Sequence, residues 1–294
     1  MARPLRLDFA GALHHVTARG NARAAIFLDD DDRERFLAVL APVIKRHEWI
    51  CHAYCLMGNH HHLLIETPRP SLSAGMRQLD GMYAQTFNAR HGRVGHVFGG
   101  RYKALLVEGE QHLLNVAAYV VLNPVRAGIC TSAADWAWSS YRATAGLERV
   151  PEFLTVDWLL SQFGDDLRIA QARYSAYVGE AALWERAEVR GQIYVGTNAF
   201  INRHAPNRPL REIPRPQWQP LPPPLPELFG DLGYAAVEVA HRRYGYPLRA
   251  IADHLGVHYS TVGRWLAARE QRDVALQDLT PDRGERAFEA RKPG

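Results

Sequence analysis

The stretch Leu56-Met57-Gly58-Asn59-His60-His61-His62-Leu63-Leu64-Ile65-Glu66 constrains the fold more than any other part of the chain. Leu63, Leu64 and Ile65 form an apolar run that predicts a buried strand, and residues 49–56 predict a second. Gly58-Asn59 leaves room only for a tight turn between them, so the two strands are antiparallel neighbours. A doubly wound parallel sheet fits less well, because its strands need long crossovers. On a strand, residues i and i+2 share a face. His60 and His62 therefore converge, while His61 points away with Leu63 and Ile65. Two imidazoles on one face are the beginning of a metal site, although short His tracts also form solvated turns, and the pattern alone leaves both open.

The elements around this hairpin follow from periodicity. Residues 12–19 alternate, with Leu13, His15 and Thr17 on one side, and end at Gly20-Asn21, a turn pair. Either His14 or His15 could approach the metal from this strand or simply pack. Phe36, Leu37, Leu40, Val43 and Ile44 recur at helical spacing within 31–47, and its acidic start, Asp29 to Asp32, suits the helix dipole. Ser71 caps a second helix carrying Met76, Leu79, Met82, Tyr83 and Phe87. A strand follows at 104–107. A third helix at 110–122 ends at Asn123-Pro124. The order strand, helix, strand, strand, helix, strand, helix predicts a ferredoxin-like α+β domain, an antiparallel sheet with its helices on one side.

Two features of this domain bear on chemistry. From Arg90, at the end of the second helix, to Lys103, the residues Arg90, His91, Arg93, His96, Arg101 and Lys103 occur without an acidic residue, interleaved with glycines and aromatics. Such a segment can approach a phosphate backbone and stack on bases, or be a plain solvated loop. On the third helix, Tyr119 and Asn123 lie one turn apart. If Tyr119 faces the histidines, its phenol can attack a phosphodiester held on the metal; otherwise its ring packs in the core. Tyr83 is a rival nucleophile, but Phe87 stands one turn later where a polar partner would be needed.

The triplet His60-His61-His62 after Met57-Gly58-Asn59, the basic 93–103 segment and Tyr119-Val120-Val121-Leu122-Asn123-Pro124-Val125-Arg126-Ala127-Gly128 together resemble the single-tyrosine HUH transposases, and among them the REP-associated tyrosine transposases. The resemblance covers about residues 8 to 145. It implies a ferredoxin-like nuclease domain that cuts single-stranded DNA, often near a hairpin foot, with Mg²⁺ or Mn²⁺. Carried onto this sequence, it makes His60 and His62 the metal ligands, Tyr119 the nucleophile and Asn123 the third, polar ligand. Cleavage would be transesterification: a 5′-phosphotyrosine link forms and a 3′-OH is freed. The sequence departs from the pattern at His61, where a bulky hydrophobe is usual, so either the strand begins later or His61 sits at a solvated edge. Two other readings stand beside this one: a non-catalytic DNA-binding regulator of the same fold, and a metal phosphodiesterase with water as nucleophile.

The chain has 294 residues, 47% hydrophobic and 22% charged, enough for two domains with real cores. Its net charge of +4 is compatible with a polyanionic partner. Three cysteines cannot build a disulfide framework and fit a reducing cytoplasm; Cys51 and Cys55, on one face of a regular strand, are about 13 Å apart, too far for one zinc ion. No apolar run approaches membrane-spanning length. The organisation expected is a nuclease domain at 1–148, a mixed helical extension at 149–205, a Pro-rich linker at 206–227, a helix-turn-helix domain at 228–272 and a charged tail at 273–294. In the helix-turn-helix, Ile251, Ala252, Leu255, Val262 and Trp265 form the core about the turn residue Gly256, and Ser260, Thr261 and Arg264 face duplex DNA. Monomer and homodimer both remain open.

Overall fold

The computed structural model describes residues 5–181, 189–190, 192–206, 223–232 and 235–267. Residues 207–222 of the Pro-rich stretch and the whole charged tail lie outside them. The chain divides into two units, Met1–Trp218 and Gln219–Gly294.

In the first unit the strands are β1 (Ala12–Arg19), β2 (Ile50–Leu56), β3 (His60–Thr67), β4 (Lys103–Val107) and β5 (Tyr194–Val195), in the sheet order β2-β3-β1-β4-β5. Each neighbouring pair among the first four is antiparallel, and α1 (Asp30–His47) and α2 (Leu72–His91) connect them in the ferredoxin-like order. The register sets Thr17 opposite His62 and Arg19 opposite His60. β5 comes from the extension and runs parallel to β4, where Leu106 N–H donates to the Ile193 carbonyl at 2.7 Å. It covers an edge that would otherwise present unpaired backbone groups.

Helices cover both faces, not one. Phe36, Leu40 and Val43 of α1 and Met76, Leu79, Tyr83 and Phe87 of α2 pack on Val16, Ala18, Leu63 and Ile65. On the other face α3 (Gly109–Val121) sets Leu113, Val116, Ala117 and Val120 against Leu13, Ala53, Cys55 and Leu64, and the short helix α4 (Asn123–Arg126) and, in the extension, α5 (Leu167–Ala181) follow it in the chain. The unbroken run Leu63-Leu64-Ile65 is the reason, since a strand apolar on both sides must be covered on both sides. A bulge between Cys51 and Ala53 also breaks the alternation in β2, so Cys51 and Cys55 enter opposite cores rather than one. Helix α2 crosses so close to Trp49 that a Cβ on Gly75 would lie 2.1 Å from the indole, which demands glycine there.

The acidic start of α1 is structural, and it captures a residue expected elsewhere. Asp29 caps the helix, its carboxylate accepting from Asp32 N–H at 3.0 Å. Arg90, at the end of α2, donates to Asp29 at 2.7 and 2.8 Å and to Asp32 at 2.6 Å, so its guanidinium ties α2 to α1. Hydrogen bonding from Arg90 holds the Asp29 carboxyl down at about 2. Burial pushes the Asp32 carboxyl up, but the Leu28 N–H, His91 and Arg90 outweigh it and hold it below the usual range. A carboxylate depressed in the folded state stabilises above its unfolded pKa and loses that contribution as pH falls through the folded value. Arg90→Ala is therefore expected to lower the melting temperature at neutral pH, with a deficit that shrinks between roughly pH 4 and pH 2; calorimetry across that range checks it.

The second unit is a small helical cluster. Its described helices are α6 (Leu225–Leu232), the stretch Ala236–Glu238 with a π-helical continuation Val239–Arg243, α7 (Leu248–Leu255) and α8 (259–267). Gly256, at φ 65°, ends α7 and turns the chain into α8. Leu228, Ala236, Val237, Ala240, Ile251, Ala252 and Val262 form its core. Trp265, expected among them, is 36% exposed; Leu266 packs there instead. Ser260 and Arg264 are exposed and Thr261 half-buried, with Arg264 donating to Thr261 Oγ1 at 3.3 Å. Among the described residues no helix is long and apolar enough to cross a membrane.

Candidate functional site

A cleft of about 880 Å³ opens on the α3 side of the sheet, where the far end of β1 meets the start of β3. Among its lining residues are His60, His62, Tyr119, Asn123, Arg101 and Lys103. The strand alternation brings the two imidazoles to this face, with ring centroids 4.9 Å apart. Tyr119, on the last turn of α3, lies edge-on to His62 at 6.2 Å and to His15 at 5.7 Å. Arg126, on the short helix α4 (Asn123–Arg126), places its guanidinium 5.1 Å from the centre of the Tyr119 ring.

The imidazoles are held neutral. Burial, helped by the charge of Arg19, lowers the His60 pKa to about 4. Burial and the neighbouring His15, His60, His61 and Arg19 put His62 well below its ordinary value. Neutral imidazoles offer lone pairs, the form in which histidine binds a metal. For His60 the ring orientation follows from the turn: Asn59 Nδ2 donates to the Arg23 carbonyl at 3.1 Å, which aims Asn59 Oδ1 at His60 Nδ1, 2.6 Å away. That nitrogen must carry the proton, and Nε2 is left as the lone pair. The Nε2 of His62 is buried with no hydrogen-bond partner, as a ligand nitrogen awaiting a cation would be.

Asn123 Nδ2 donates to the carbonyls of Tyr119 at 2.9 Å and Val120 at 3.2 Å, tying the amide to the end of α3. With its nitrogen so engaged, the amide offers only Oδ1 as a ligand oxygen. Two imidazoles and an amide oxygen suit a divalent cation that keeps open positions for substrate. Among the described residues no cluster of three or more His, Cys, Asp or Glu side chains could hold a metal, so a cation here would draw on Asn123 and its substrate.

Not every predicted residue joins this cleft. Arg90 is engaged with Asp29 and Asp32, and Arg93 stacks on Phe87 at 5.5 Å at the end of α2. His61 is neither at a solvated edge nor ahead of the strand: β3 begins at His60, and His61 is wholly buried against Phe36 at 4.7 Å and Phe98 at 6.0 Å. Tyr83 is buried among Phe27, Phe36 and Phe87 on the other side of the sheet, its hydroxyl donating to the Ile26 carbonyl. Burial raises its pKa, which disfavours a phenolate there.

Of the two histidines left open on β1, His15 is the one that lines the cleft, and the cleft also holds residues beyond those expected: Thr17 and Arg19 from β1, Arg23 after it, and Val189 and Gln192 from the extension. The alternation of 12–19 put His15 and Thr17 on one face, but only the register shows that this face is the histidine face. Gly99 and Gly100 complete the rim; a Cβ on Gly99 would come 3.2 Å from the backbone of Gly20 and Asn21, and Gly100 sits at φ 146°. The glycines let the basic segment lie against the end of β1, where Gly99 N–H donates to the Arg19 carbonyl at 2.9 Å.

Residues 10–123 match the family model of the IS200-like transposases. This core is similar to the IS200-like transposases. The match supports the likeness to tyrosine transposases carried by the motifs, and it spans both imidazoles, Tyr119 and Asn123 but not Val189 or Gln192. Residues 235–277 match the model of a homeodomain-like domain. No curated protein matches the chain. Among solved structures, the REP-associated tyrosine transposase bound to a REP hairpin is 16% identical, with 57% of this chain and 93% of that chain covered and a TM-score of 0.44. The tRNA(His) guanylyltransferase of Saccharomyces cerevisiae is 8% identical, with 67% and 87% covered and a TM-score of 0.32.

Proposed function

We propose that the transposase-like core is a metal-dependent single-stranded DNA endonuclease and strand transferase with Tyr119 as nucleophile, acting at hairpin-containing DNA. The observation that carries this reading is the meeting of His60, His62, Tyr119 and Asn123 in one basic cleft. His60, His62 and Asn123 would hold Mg²⁺ or Mn²⁺, which supplies charge neutralisation and polarisation at the scissile phosphate. Tyr119 Oη attacks the phosphorus, the bond from phosphorus to the 3′ oxygen breaks, and the phenol proton ends on the released 3′-OH. The 5′ phosphate stays on the tyrosine, so a later attack by a 3′-OH reverses the step and joins a new strand. Arg19, Arg101 and Lys103 at the cleft attract the flanking phosphates. The test incubates the protein with labelled hairpin-bearing single strands and Mn²⁺. A covalent adduct supports the reading, cleavage without one favours a water nucleophile, and binding alone favours a regulator.

The homeodomain-like unit is proposed to hold duplex DNA through α8. Arg264→Ala is expected to weaken duplex binding by about tenfold, the scale of one lost base or phosphate contact, and to leave single-strand cleavage unchanged. Fluorescence anisotropy on duplexes at two salt concentrations, beside the adduct assay, checks both halves.

A further inference from the structure

The cleft fixes the orientation of each ligand imidazole by a different device, and the second device is a third histidine. His15 and His62 are diagonal neighbours across β1 and β3, both 5% exposed. Their rings stack at 5.1 Å with 22° between the planes, and His15 Nε2 lies 2.9 Å from His62 Nδ1. Thr17 Oγ1 approaches the same His62 nitrogen at 3.2 Å. We propose that His15 is the positioning residue of the metal site: its Nε2 accepts the Nδ1 proton of His62, which locks His62 into the tautomer that presents Nε2 to the cation.

Three observations support this assignment. The opposite arrangement, His15 donating into His62 Nδ1, would place a proton on His62 Nε2, a buried atom with no partner to receive it. His60 shows the same outcome by independent means, since Asn59 Oδ1 captures its Nδ1 proton and frees its Nε2. Both ligand rings then turn the same nitrogen to the cleft. Lastly, His15 Nε2 is engaged with His62, so His15 acts through His62 rather than as a third ligand. Its edge also lies against the Tyr119 ring at 5.7 Å, so one side chain sets the position of both the ligand and the attacking phenol. Partners of this kind raise the basicity of a ligand imidazole and hold its ring angle, and their loss typically weakens metal binding by 10- to 100-fold.

The inference rests on the proposed metal site, and its test is independent of cleavage. Long-range ¹H–¹⁵N spectra of the full-length protein without metal report the His62 tautomer, and the EPR signal of free Mn²⁺ reports affinity. The variants are His15→Gln, whose carbonyl oxygen reaches the place of Nε2, and His15→Leu, which fills the space without an acceptor. The wild type and His15→Gln are expected to show His62 protonated at Nδ1, with Mn²⁺ affinities within about threefold of each other. His15→Leu is expected to bind Mn²⁺ at least about tenfold more weakly. Equal weakening by Gln and Leu would make His15 a packing residue and overturn the proposal, as would a wild-type His62 protonated at Nε2. If His15→Leu does not fold, the wild-type tautomer and the His15→Gln affinity decide. A protein that passes these tests yet forms no DNA adduct overturns the strand-transfer reading and leaves the positioning role standing.

Discussion

Tyr119→Phe is expected to abolish the covalent DNA adduct and to lower cleavage by three orders of magnitude or more, about the scale of losing a nucleophile. The substitution removes one oxygen and keeps the ring, so the contacts with His15 at 5.7 Å, His62 at 6.2 Å and the Arg126 guanidinium at 5.1 Å can persist. Mn²⁺ affinity and melting temperature should therefore match the wild type, which confines the loss to chemistry. The comparison variant is Tyr83→Phe. It loses the hydrogen bond to the Ile26 carbonyl and should cost stability, but it lies across the sheet from the cleft and should form the adduct at the wild-type rate. Mass spectrometry of the adduct after nuclease digestion locates the modified tyrosine. An adduct that survives Tyr119→Phe would remove Tyr119 from its role.

The ferredoxin-like order was legible because each element has a period of its own and because Gly58-Asn59 forces β2 and β3 to be antiparallel. The pairing of His60 with His62 followed from the two-residue period of β3 alone. What periodicity cannot supply is the relation between elements. The register of β1 decides that His15 and Thr17, rather than His14 and Val16, stand beside His62, and that register arises from the packing of the whole sheet. The bulge at His52 shifts the face of Cys51 with no glycine or proline to mark it. The basic segment misled in one place: Arg90 belongs by composition to the cluster that includes Arg101, yet it is the last turn of α2, and three acidic residues from a distant helix start claim it. The extension was silent for another reason. Its contribution is the two-residue strand Tyr194–Val195, too short to leave an alternation, and Gln192, held at φ 68° beside it, reaches the cleft only because β4 had a free edge.

His61→Leu is expected to make the protein markedly more resistant to acid while leaving the cleft chemistry unchanged at neutral pH. The His61 ring is wholly buried, neither of its nitrogens has a hydrogen-bond partner, and burial together with the nearby His60 lowers its pKa to about 3. An imidazole whose folded pKa lies below its unfolded value of about 6.5 is protonated first in the unfolded state. Its contribution is therefore neutral above that pH and destabilising below it, and the penalty grows until the folded value is reached. At pH 5 the penalty is about 2 kcal/mol, roughly 1.5 pH units at about 1.36 kcal/mol each. His14, lowered by burial to about 4, adds a similar penalty that the substitution does not remove. Leucine at 61 also replaces a buried N–H that lacks an acceptor, which favours the variant by about 1 kcal/mol even at pH 7. Urea unfolding at pH 7 and pH 5 should show an advantage for His61→Leu that rises from about 1 to about 3 kcal/mol. A difference that stays constant across that range would mean that His61 is not held neutral, and its face of β3 would have to be reassigned. A bulky hydrophobe is what the resemblance to tyrosine transposases implies at this position, and the histidine here fills that place while His60 and His62 keep the other face.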